Sequence, residues 1–161
     1  MMRQSLLCSA ILLLTVTLAV AQKYKGPVPE KADVPYLIHG DNLVETELQE
    51  AQQNTEKDWM IFSVPGSNSP AKTPLAGPAF LIKAESLAVD KLQAYQLDVQ
   101  NGRREVRFHQ KKPKESAIPL KLSITKVGDN LFRLEVYDSL SNGEYALTPD
   151  GSNQVFCFAV F

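Results

Sequence analysis

The chain has 161 residues, 44% of them hydrophobic and 22% charged, with 17 Lys and Arg against 18 Asp and Glu, ten Pro and two Cys. These proportions describe a globular protein and exclude a collagen-like repeat, a disulfide scaffold and a low-complexity disordered chain. The length holds one domain of common size, and the balanced, slightly acidic charge argues against a nucleic-acid binder, which needs a basic excess to neutralise phosphate.

Residues 1–21 read as a secretory signal peptide. Arg3 supplies the positive start, residues 6–18 are almost continuously apolar, and Ala19 and Ala21 are the small residues before a cleavage point at Gln22. The apolar run is shorter than the roughly 20 residues that span a bilayer, so no transmembrane segment is expected in the mature chain. Cys8 leaves with the leader, and Cys157 then has no intrachain disulfide partner. No Asn-x-Ser/Thr acceptor occurs, because Asn68-Ser69 runs into Pro70. Together these features favour a bacterial envelope, periplasmic or extracellular, over a eukaryotic secretory route.

Residues 22–35 contain three prolines and a glycine with no apolar period and read as an extended linker, so that a single domain covers 36–161. Residues 36–39 form a short apolar strand ended by Gly40-Asp41-Asn42. Residues 43–57 admit two readings. Val44, Leu48 and Ala51 share a helical face, whereas Val44, Thr46 and Leu48 alternate as in a strand, the reading that the β-rich surroundings favour. Residues 59–64 (WMIFSV) predict a strongly apolar strand, 65–78 a loop with four prolines, 79–83 another strand and 84–91 a short helical turn.

Residues 93–100 place Tyr95, Leu97 and Val99 on one face, opposite Gln96 and Asp98. Asn101-Gly102 is the pair that a two-residue type I′ hairpin prefers, because both central residues need positive φ. The chain then returns over 103–109 with Val106 and Phe108 facing one way and Arg103, Arg107 and His109 the other. Further alternating strands are predicted over 118–124, 132–136 and 144–147. Residues 154–161 (QVFCFAVF) are apolar on both faces, which marks a central, covered strand. Seven to nine strands and at most one or two short helical turns predict an all-β fold, an antiparallel β-sandwich.

Residues 130–137 (NLFRLEVY), 142–147 (NGEYAL) and 154–161 resemble the last strands of immunoglobulin-like domains in uncharacterised secreted bacterial proteins. The resemblance implies an immunoglobulin-like sandwich and a corner role for Tyr145, its hydroxyl bonded to nearby backbone. It brings no activity with it.

Catalytic, metal and cofactor motifs do not emerge. The two histidines of the mature chain, His39 and His109, lie in no zinc-binding spacing, and no Gly-x-Ser-x-Gly elbow occurs. Cys157 lies between Phe156 and Phe158, where burial makes a thiol inert. Trp59 reads as core rather than as a ligand platform.

Charge is unevenly spread. Residues 30–58 hold eight acids and two lysines, whereas 103–121 hold seven basic residues and two acids, which predicts an acidic side and a basic side. Arg103, Arg107 and His109, continuing into Lys111, Lys112 and Lys114, are candidates for binding an anionic surface or an acidic envelope protein. Asn68, Lys72 and Thr73 are candidates in the proline-rich loop, which is long enough to carry recognition. The functional expectation is an exported, non-enzymatic binding or assembly module of the bacterial cell envelope, with no cofactor. Alternatives are a hydrolase or metal-dependent enzyme, which a cluster of His39, Asp41 and His109 would mark, a structural cell-surface protein, and a small outer-membrane barrel. The last is disfavoured by strands of six to eight residues and by only 8% aromatic residues.

Overall fold

The segment with two readings is extended throughout. In the computed structural model, which describes residues 24–161, β1 (Pro35–His39) turns at Gly40 into a run of three strands, β2 (Asn42–Glu45), β3 (Glu47–Glu50) and β4 (Gln52–Glu56), separated only by Thr46 and Ala51. A helix would turn Val44, Leu48 and Ala51 to one side. Each successive piece instead pairs with a different strand, so tertiary ladders outweigh local propensity. The leader expected over 1–21 lies outside the described residues.

The chain continues through β5 (Trp59–Pro65), β6 (Lys72–Thr73) and β7 (Ala79–Lys83), a 3-10 turn at Val89–Lys91, then β8 (Leu92–Gln100) and β9 (Arg103–His109). A second 3-10 turn at Pro113–Glu115 precedes β10 (Leu122–Lys126), β11 (Leu131–Val136), β12 (Gly143–Pro149) and β13 (Gln154–Val160). The hairpin between β8 and β9 turns at Asn101 (φ 51°) and Gly102 (φ 76°), with Gln100 opposite Arg103, as the sequence predicts.

The strands form two sheets, one ordered β10-β11-β7-β1-β2 and the other β3-β13-β12-β8-β9-β5-β4. Every pairing is antiparallel except that of β6 with β13. The second sheet begins and ends on consecutive pieces of one run. Ala51 N–H donates to Asn153 O at 2.7 Å, extending the β3–β13 ladder by one rung, and the next residue, Gln52, already faces Ser63 of β5. Residues 47–56 thus pair with β13 through their first half and with β5 through their second. The sheet returns on itself as a barrel of six strands, β3 and β4 counting as one.

Side chains alternate about this wall. Ala51, at the junction of β3 and β4, and Val64, Leu97, Ala146 and Cys157, from four strands, meet inside the barrel. Phe156 and Phe158 of β13, Leu147 of β12 and Ala94 of β8 point outward and pack against Leu37, Phe80, Ile82 and Leu134 of the five-stranded sheet. The architecture is an all-β sandwich in which one layer is rolled into a barrel, a closure that two open sheets do not have. It accounts for a β13 that is apolar on both faces: one face fills the barrel and the other the space between the layers.

Two boundaries differ from the sequence reading. Residues 118–121 are not strand, and Ile118 is 80% exposed, because Leu120 N–H donates to Ala94 O and draws this segment onto β8. The segment read as a linker is docked at its end. Pro29 and Val34 are buried, Asp33 N–H donates to Lys83 O, and the Asp33 carboxylate accepts the backbone N–H groups of Glu85, Ser86 and Leu87.

Candidate functional site

The barrel interior is built in layers. At one end lies Arg104, its side chain wholly buried. The guanidinium donates from Nη1 to Glu47 Oε2 at 2.7 Å and from Nη2 to Glu47 Oε1 at 3.1 Å, a bidentate pair. Nε donates to Gly66 O and Nη2 also to Pro65 O. Glu144 Oε2 stands 3.6 Å from Nη1 and accepts Ser69 N–H at 2.9 Å. Burial pulls the Glu47 carboxyl upward, but hydrogen bonds from Arg104, Gln49 and Ser69 outweigh it and hold it below the usual range. The cluster fastens the loop after β5 across this end.

Above the ions comes the apolar layer of Val64, Leu97, Ala146 and Cys157. Burial pushes the Cys157 thiol up to about 12, so it is protonated and shielded.

The opposite end is open. A cavity of about 390 Å³ is walled by Met60 and Phe62 of β5, Tyr95 of β8, Val106 and Phe108 of β9, Val155 of β13 and Ala51. Phe108 stands edge-on to both Phe62 and Tyr95, with ring centroids 5.9 and 5.4 Å apart. The rim is polar: Gln93, Thr148 and the turn Asp150-Gly151-Ser152. The wall between β8 and β9 is not a continuous ladder, since these strands pair only through 98–100 and 103–105. Residues 116–120 bridge the gap, Ala117 N–H donating to Arg107 O and Leu120 N–H to Ala94 O.

The residues nominated from sequence do not gather into one surface. Arg107 hydrogen-bonds Glu105, Arg103 lies 3.8 Å from the same carboxylate, Lys111 pairs with Asp58 at 2.8 Å and Lys112 with Glu115 at 3.0 Å. Lys114 is exposed. His109 is not on an open face. Its side chain is 8% exposed, its ring packs tilted against Trp59 with centroids 4.7 Å apart, and Nδ1 accepts the N–H groups of Lys111 and Lys112, which holds the turn. In the proline-rich loop Asn68 and Lys72 are exposed, but Thr73 is fully buried against β13, its hydroxyl oxygen accepting Leu75 N–H. The loop is tied down rather than presented.

Acidic and basic segments also meet instead of occupying two sides, because β5 joins β4 to β9 and sets Asp58 against Lys111, while Glu47 pairs with Arg104 across the barrel. His39 and Asp41 lie at the β1–β2 hairpin of the five-stranded sheet, whereas His109 ends β9 in the barrel. Among the described residues no group of three or more His, Cys, Asp or Glu converges as a metal site. No helix among them is long and apolar enough to cross a membrane.

The sequence reading missed Glu47, Arg104 and Glu144. A signal was present: Arg104 shares its strand face with Val106 and Phe108, and Glu144 shares its own with Ala146, so each is a charge at an inward position. The fold and cavity define an all-β protein with a one-ended apolar cup. Comparison of the chain with protein-family models, with curated proteins and with solved structures finds no match.

Proposed function

We propose that the protein is a non-enzymatic binding module that holds a small apolar ligand in the open end of its barrel. The observation that supports this most is a cavity of about 390 Å³ walled by aromatic and aliphatic side chains from several strands and floored by the apolar layer of Val64, Leu97, Ala146 and Cys157. Ligand sites of small molecules are apolar, concave and set in barrel mouths, with volumes from roughly 300 Å³ upward. The candidate protein-binding surfaces support a partner less well, since most of their charges already have partners within the chain. With the leader read over residues 1–21, the proposal places the protein outside the cytoplasm of a bacterium. There, a water-insoluble molecule crossing an aqueous space gains from being enclosed.

The test is a titration with the neutral fluorophore N-phenyl-1-naphthylamine, whose emission rises in apolar surroundings. Saturable enhancement is expected with the native chain. Val155→Phe, which places a ring in the half-buried wall, should weaken binding by roughly tenfold without lowering the urea midpoint of unfolding. Equal binding by both proteins, or no saturable signal, would sink the proposal.

A further inference from the structure

The cup also carries information about the head group of its occupant. Tyr95 donates its hydroxyl proton to Gln93 Oε1 at 2.8 Å, and Thr148 donates its own to the Gln154 carbonyl at 2.8 Å. Both hydroxyl oxygens are thereby left as acceptors toward the cavity. Among the described residues Asp150 is the only charged one in the lining, and it is exposed at the rim. Its backbone N–H donates to Lys91 O at 2.9 Å, and no ion pair to the Asp150 carboxylate occurs among the described residues. The Tyr95 hydroxyl is raised above its ordinary value, first by burial and then by the Asp150 charge, which places that carboxylate within electrostatic reach of the cavity. The neutral donors at the rim are the Gln93 amide and the Ser152 hydroxyl, which accepts Gln154 N–H and keeps its proton free. Among the described lining residues a carboxylate ligand would meet one like charge and no cation. An ammonium would meet an acceptor-rich rim, a carboxylate and the negative faces of aromatic rings.

We infer that the cup selects small apolar amines over fatty acids of the same length, the ammonium lying at the rim beside Asp150 and the chain among Met60, Phe62 and Phe108. The inference rests on reading the cup as a binding site. The volume holds about 13 water-sized groups at roughly 30 Å³ each, which fits a short chain or a single ring system and not a long acyl chain.

Octylamine, octanol and octanoate, which share one chain and differ in head group, would be titrated against bound N-phenyl-1-naphthylamine at neutral pH. At ~10 mM ionic strength, where the Debye length is about 30 Å, octylamine should displace the fluorophore at a concentration roughly three- to tenfold below that of octanoate. Asp150→Asn keeps the turn and removes the charge. It should bring amine and carboxylate to within about twofold of each other, each read as a ratio to octanol on the same variant, and ~1 M salt should act in the same direction on the native chain. Octanol reports on the cup itself: if it and both charged probes fail to displace, or if the fluorophore never binds, the binding reading falls and the head-group inference with it. If octanol competes but octanoate matches or exceeds octylamine, or the preference survives Asp150→Asn, the cup stands and the amine inference is overturned.

Discussion

Arg104 and Glu47, 57 residues apart in the chain, form a bidentate ion pair at 2.7 and 3.1 Å inside the barrel, with the arginine side chain fully buried. The pair joins β9 to the run that closes the barrel, and through Gly66 O and Pro65 O it also anchors the loop over that end. Removing Arg104 would leave the Glu47 carboxylate, 15% exposed, and the buried Glu144 largely without a counter-charge. Arg104→Met should therefore cost about 3–5 kcal/mol, read as a fall in the urea midpoint. Arg104→Met combined with Glu47→Leu should recover part of that loss, since it leaves Glu144 as the remaining uncompensated carboxylate. A single variant within about 1 kcal/mol of the native chain would show that the floor of the cup does not depend on the pair.

Asp33 makes stability depend on acid. Burial alone would raise its carboxyl, but the Ser86 hydroxyl and the N–H groups of Leu87, Glu85 and Ser86 bind the charged form and hold it at about 2, against an ordinary 3.8. A lowered folded-state value means stabilisation that is complete above the unfolded value and lost as pH falls through the folded one. Asp33→Asn should be less stable than the native chain by a constant margin above pH 3.8, and the margin should close as pH approaches 2. Urea midpoints across that range measure it, and a gap that persists at the acid end would contradict the assignment. Glu47, also held low, adds to the acid sensitivity of both proteins.

Cys157 should be silent until the barrel opens. With its thiol at about 12, the thiolate fraction at pH 8 is on the order of one in ten thousand, and the side chain is fully buried. Labelling with a disulfide reagent is expected to follow global unfolding, with a rate that rises with urea as unfolding does. Fast labelling in native buffer would place the thiol within reach of solvent and contradict the packed middle layer.

Tyr145 should contribute through one hydrogen bond. Its hydroxyl donates to the backbone carbonyl of Ser141, four residues upstream, at 2.8 Å, and its ring stacks on Phe158 at 5.5 Å. Tyr145→Phe keeps the stacking and frees a carbonyl on an exposed residue that water can reach, so the loss should be about 1 kcal/mol, measured by urea unfolding. A loss several times larger would mean that the hydroxyl holds the approach to β12 as a whole.

Half of the cup was visible in the alternation of residues. Tyr95 with Leu97, and Val106 with Phe108, were assigned to common faces, and those faces line the barrel. The Asn101-Gly102 hairpin, the apolar WMIFSV strand and the doubly apolar end of the chain were equally readable, because turn chemistry and a period of two are local properties. The charged floor was not recognised, since composition treats Arg104 as one more cation of a basic segment. Only its parity with Val106 separates it from Arg103 and Arg107.

Local patterning set most of the extended segments, their turns and the faces that must leave water, though not the state of 43–57 or the start of β10. Tertiary structure alone decided what those faces meet. Whether the odd or the even side chains of β13 fill a barrel or a gap between layers depends on β3, more than a hundred residues earlier, taking Gln154 to Cys157 as its partners. The same holds for Ala51, where one short run changes partner from β13 to β5 and closes the wall. Periodicity records that a surface is buried. The neighbour that buries it is chosen by pairing and packing between distant segments, and that choice turned a strand-rich chain into a cup with one open end.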